Sequence, residues 1–74
     1  MKVKEIVKRT YLFDKNDKKD FEEQAKELGL TKYAIAKKLK ITNTYLSYIL
    51  NGERAFSEII LKQIRDLGFN LEVK

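Results

Sequence analysis

The sequence predicts a mainly α fold of four short helices, with a small two-stranded β-sheet drawn from the N- and C-terminal segments. Three observations lead there. Apolar residues recur at three- and four-residue intervals in four separate segments, the spacing that lines one face of a helix. Each of those segments opens behind an Asp, Thr, Asn or Ser able to cap it, and the first and last close on Gly29 and Gly68, as helix ends do. The clear alternation of apolar and polar residues, FNLEV at 69–73, is a strand pattern.

The elements follow in order. Val3, Ile6, Val7 and Tyr11 are spaced as on a helix, while their β-branched and aromatic character favours a strand. A C-terminal strand needs a partner. Residues 5–12 are the other β-prone piece, so the two are expected to pair; the rival is pairing of 69–73 with its own copy in a dimer. NDKKD (16–20) reads as a helix entry with Asp17 as N-cap. Phe21, Ala25 and Leu28 then form the inner stripe of a helix over about 18–28. Thr31 caps a two-turn helix, 32–39, with Ile35, Ala36 and Leu39 inward. Thr42 or Asn43 caps a third helix running to Leu50, with Leu46, Ile49 and Leu50 inward. NGE (51–53) is a turn, and Ser57 caps a last helix, 58–67, whose Ile60, Leu61, Ile64 and Leu67 are core. Tyr11, Phe13, Phe21 and Phe69 are expected in the core, although Phe69, Leu71 and Val73 equally suit a dimer seam.

The 74 residues suit a single domain, 1–74. A chain of this size buries only about 60% of its unfolded surface, so dimerisation would help it. It has no Cys and no His, which removes disulfides, thiolate metal sites and the commonest general base together. No apolar run approaches a membrane span, and the charge-broken N-terminus does not resemble a signal peptide. A cytoplasmic protein without metal or cofactor is expected. Asp14, Asp17 and Asp20 fall in a surface loop, and Glu22, Glu23 and Glu27 on a charged helix face. No phosphate-cradling glycine loop exists, so an enzyme is not expected.

Charge is distributed unevenly. The net charge is +5, yet residues 30–41 alone carry +4 with no acid, and ITNTYLSYILNG (41–52) carries none. In a chain where 36% of residues are charged, a neutral helix directly behind a basic block asks for a physical reason.

The two short helices 32–39 and 43–50 are joined by three or four residues. Their apolar residues are Ile35, Ala36, Leu39, Ile41, Leu46 and Ile49. This segment, with the LNGER turn (50–54) and the FSEIILKQIRDLGFNL ending (56–71), resembles the helix-turn-helix of Cro/C1-type (XRE-like) transcriptional regulators of phages and bacteria. The resemblance covers about residues 18–71, with a motif core at about 31–51, and implies a lambda-repressor-like fold. One departure is Lys40, where the family usually has Gly; a left-handed backbone there costs a non-Gly residue about 1 kcal/mol.

Thr44, Ser47, Tyr48 and Asn51 are spaced i, i+3, i+4, i+7, so they share one helix face opposite Leu46, Ile49 and Leu50. The resemblance implies that the N-terminal end and outer face of this helix enter the DNA major groove. Asn43, Thr44, Ser47 and Tyr48 are the expected base contacts, since short amides and hydroxyls match base edges without desolvating a charge. Thr31, Lys32, Tyr33, Lys37, Asn51 and Arg54 are the expected phosphate contacts. The acid-rich DFEEQAKE helix is expected to face away from DNA, and Tyr45 to pack at the domain edge. The implied role is a Cro-like repressor, phage or mobile-element encoded, acting in a bacterial cytoplasm on the nucleoid. It would bind operator DNA as a homodimer and exclude polymerase, a chain this short leaving no room for an effector domain. The alternative is an antirepressor that binds another repressor protein through the same face, for which two tyrosines on a neutral helix are also suited.

Overall fold

The computed structural model describes residues 1–74. Two strands come first, β1 (Lys2–Val7) and β2 (Thr10–Leu12). Three helices follow: α1 (Asp17–Leu28), α2 (Lys32–Leu39) and α3 (Asn43–Leu50). The chain ends through β3 (Phe56–Ser57), α4 (Glu58–Asp66) and β4 (Glu72–Val73). The four helices lie where the apolar spacing puts them, within a residue at the ends of the first and last.

The sheet is larger than the two strands predicted. Its order is β3-β2-β1-β4. Residues 5–12 do not form one strand, because the chain reverses at Lys8–Arg9. Arg9 takes a left-handed backbone (φ 62°) and its N–H donates to Glu5 Oε2 at 2.9 Å. β1 and β2 therefore make an antiparallel hairpin with an irregular register between Glu5 and Val7. The C-terminal strand pairs with residues 2–3 instead of 5–12, in parallel, matching Lys2 with Glu72 and Val3 with Val73. The pairing of 69–73 with a second copy gives way to this one: Phe69 and Leu71 are buried in the chain's own core, and only Val73 remains largely exposed.

Sixteen buried residues make one core cluster. A run of aromatic contacts binds the sheet to the helices. Tyr11 meets Phe56, Phe56 meets Phe13 edge-on at 5.2 Å, Phe13 meets Phe21, and Phe21 stacks on Phe69 at 4.4 Å. Each such ring contributes about 1.5–3 kcal/mol by burial, and good ring pairing adds about 0.5–1.5 kcal/mol. Ile35, Leu46, Ile49, Leu50 and Ile64 complete the interior between α2, α3 and α4.

Three caps form as the sequence indicates. The Thr31, Thr42 and Ser57 hydroxyls accept from the N–H groups of Ala34, Tyr45 and Ile60, each cap being worth about 1 kcal/mol. Asp17 is not a cap. Asn16 holds the N-cap position with a helical backbone and no side-chain bond. Asp17 lies inside the first turn, buried, its carboxylate accepting from the N–H groups of Asp14 (2.8 Å) and Lys2 (3.3 Å). It ties the loop and the first strand to α1. Leu28 is also displaced from the predicted core: at the last turn of α1 it is 40% exposed and leans on Gly68. Ile60 and Leu67 are only partly buried, since both sit at the rim of the α4 stripe.

Candidate nucleic-acid interface

α2 and α3 pack against each other across the short connection Lys40–Thr42. Lys40 has a left-handed backbone (φ 59°), of the kind glycine adopts most readily, and its N–H closes α2 on the carbonyls of Ala36 and Lys37. Ile41 then donates to the Ala36 carbonyl at 3.0 Å and packs, half-buried, on the core. Ala36 is 2% exposed, so its small side chain accepts the crossing helix.

Capping decides which polar groups are available. Thr42, not Asn43, caps α3, so the Asn43 amide is left unbonded at the exposed first turn. Thr44, Ser47 and Tyr48 are exposed as well, opposite Leu46, Ile49 and Leu50, all within 1% of complete burial. The strip of small polar groups thus points outward, and none of it is consumed by the interior. Tyr45 behaves otherwise, as its spacing implies: half-buried, it donates its hydroxyl to the Ala55 carbonyl at 3.0 Å.

The remaining candidates gather in four places. Tyr33, Lys37 and Asn43 line one open cleft of about 290 Å³ together with Ile41 and Thr42. Thr31 stands at the exposed start of α2, its hydroxyl already accepting from Ala34 and still able to donate. Lys32, beside it, lies 3.1 Å from the Glu22 carboxylate, with both side chains about half exposed. Past the far end of α3, Arg54 stacks over Tyr48, and the Asn51 side-chain Oδ1 accepts from Lys18 Nζ at 2.9 Å. Thr31, Lys32, Tyr33, Lys37, Asn43, Thr44, Ser47, Tyr48, Asn51 and Arg54 are thus all exposed, and Tyr33, Lys37 and Asn43 share one cleft.

Two features escape the sequence reading. Glu22, on the acid-rich helix, meets Lys32 at the start of α2. Lys18 is the other, placed beside Asn51 by the packing of α1 on α3. Neither had a local signal, because each contact joins residues far apart in sequence, Glu22 with Lys32 and Lys18 with Asn51. No group of three or more acidic residues could hold a metal ion, and no helix is long and apolar enough to cross a membrane.

Comparison with known proteins agrees with the geometry. The model of the helix-turn-helix family matches residues 21–67, which spans the last part of α1 through α4. No curated protein and no solved structure matches the chain.

Proposed function

The chain belongs to the helix-turn-helix family of Cro/C1-type DNA-binding regulators, and from that membership we propose that it is a sequence-specific repressor of phage or mobile-element origin, reading operator DNA with α3. The observation that carries this reading is the outward, uncharged face of α3, with the Asn43 amide free at its leading end. A face with no carboxylate can approach a phosphate-lined groove without repulsion. Its amide and hydroxyls offer both donors and acceptors to base edges, and an Asn can bond an adenine bidentately.

Lys32, Tyr33, Lys37, Thr31, Asn51 and Arg54 supply phosphate contacts on either side of α3 and set its register in the groove. The protein acts as a homodimer on near-palindromic sites whose halves lie about 34 Å apart. It works in the bacterial cytoplasm, on the nucleoid, by occupying a site that polymerase needs. The test is a mobility shift of the purified chain on the DNA flanking its own gene, against random DNA, with and without a co-encoded repressor. Selective binding by the chain alone supports the repressor. Altered occupancy that requires the second repressor would replace it with an antirepressor.

A further inference from the structure

We propose that Lys15, in the turn before α1, and Lys18 and Lys19, in its first turn, form a phosphate-binding strip that continues the α3 surface and lengthens its DNA footprint. This rests on the DNA-binding reading above and adds residues to it. In sequence, Asp14–Asp20 looks inert: three Asp and three Lys cancel. In three dimensions they separate: Asp14 and Asp20 pair with cations outside the segment, Asp17 is buried, and Asp14 also accepts from the Lys15 backbone N–H at 2.8 Å. Asp14 pairs with Lys74 at 3.2 Å. Asp17 is buried and satisfied by two backbone N–H groups. Asp20 meets the N-terminal ammonium at 3.1 Å. None of the three lysine ammonium groups pairs with a carboxylate.

The strip is joined to the reading helix. Lys18 Nζ donates to the Asn51 side-chain Oδ1 at 2.9 Å, and Asn51 closes α3. An ammonium has three donors, so Lys18 keeps that bond and still offers two to a phosphate. The same bond turns the Asn51 NH₂ away from Lys18, as a donor for the neighbouring phosphate. Surplus positive charge, continuous with a surface that meets a polyanion, selects a duplex backbone as its occupant.

The measurement is the salt dependence of binding of the full chain to a random-sequence duplex, from about 50 to 200 mM salt. Lys15→Ala/Lys19→Ala is the main variant, since both side chains are exposed and neither ammonium group has a hydrogen-bond partner. Lys8→Ala/Lys62→Ala removes the same charge from the hairpin turn and from α4. The α1 variant should lower the slope of log K against log salt by about two, at about 0.9 per lost contact, and adding Lys18→Ala by about one more. The control pair should leave the slope at the wild-type value. An α1 variant with the wild-type slope, or an equal drop in both pairs, overturns the strip while Lys32→Ala still reports binding through the α2–α3 surface. A wild-type chain that binds no duplex overturns both readings together.

Discussion

The Arg54 guanidinium lies over the Tyr48 ring, its Cζ 5.6 Å from the ring centre. One residue belongs to the turn after α3 and the other to its exposed face, so the stack holds the ring against the helix end. An exposed cation–π pair is worth about 0.5–1 kcal/mol. Lys has no planar fork to stack. Arg54→Lys should therefore keep the salt slope of DNA binding and lower the preference for the operator over random DNA by a few-fold. Competition binding on the two duplexes measures it, and an unchanged preference would show that the stack does not orient Tyr48.

Asn43 and Lys32 should fail in different ways. Asn43→Ala removes an amide from the groove side and should cost about 1–3 kcal/mol of discrimination, with little change on random DNA. Lys32→Ala should weaken all sequences alike. Because Glu22 holds Lys32 at 3.1 Å, Glu22→Gln should strengthen binding to every duplex. Titrations of each variant on operator and random DNA separate these outcomes; a uniform loss from both alanine variants refutes the division of roles.

Lys40 is the strained residue of the motif. Its left-handed backbone (φ 59°) costs about 1–2 kcal/mol at a non-Gly position, and glycine relieves it while adding unfolded-state entropy of about 0.5–1 kcal/mol. Lys40→Gly should leave a net gain of up to about 1 kcal/mol, which raises Tm by about 4–8 °C in a domain of this size. Thermal melts followed by circular dichroism decide it.

Gly52 and Gly29 share positive φ (76° and 72°) but not their surroundings. A Cβ on Gly52 would sit 2.7 Å from the Phe13 carbonyl oxygen, a backbone atom, whereas one on Gly29 meets nothing within 4 Å. Gly29→Ala should cost only the backbone strain of about 1–2 kcal/mol. Gly52→Ala should cost clearly more, since it must separate the α3 turn from the segment after β2. Equal midpoints in urea for the two variants would contradict this.

Acid should weaken the fold through Asp14 and Asp20. The Lys15 backbone N–H and then the Lys74 ammonium hold the Asp14 carboxyl below its ordinary value. The N-terminal ammonium and then the Gln24 amide do the same for Asp20. A carboxyl depressed in the folded state stabilises it above the unfolded value, about 3.9, and that contribution is lost as pH falls through the folded one. Stability should thus decline on going from about pH 5 downward. Asp14→Asn/Asp20→Asn should flatten that decline while lowering stability at neutral pH, as urea unfolding across the acid range would reveal.

The helices and their caps were legible because their causes are local. Thr31, Thr42 and Ser57 bond to an N–H three residues ahead, and the stripe Leu46, Ile49, Leu50 lies within one and a half turns. The hairpin was not legible, since its turn depends on Arg9 taking a left-handed backbone that residue type does not announce. Asp17 has the composition of a cap, yet the helical backbone at Asn16 and the reach of Lys2 and Asp14 gave it another task.

Periodicity alone was enough to place four helices, to turn Thr44, Ser47 and Tyr48 outward, and to leave the α3 face without charge. Folding settled which charges remain to act. Asp14 meets Lys74 across 60 positions, and Asn51 meets Lys18 across 33. Electrostatic attraction depends on distance through space, so no count of charges along the chain could tell the neutralised acids from the unpaired lysines beside them.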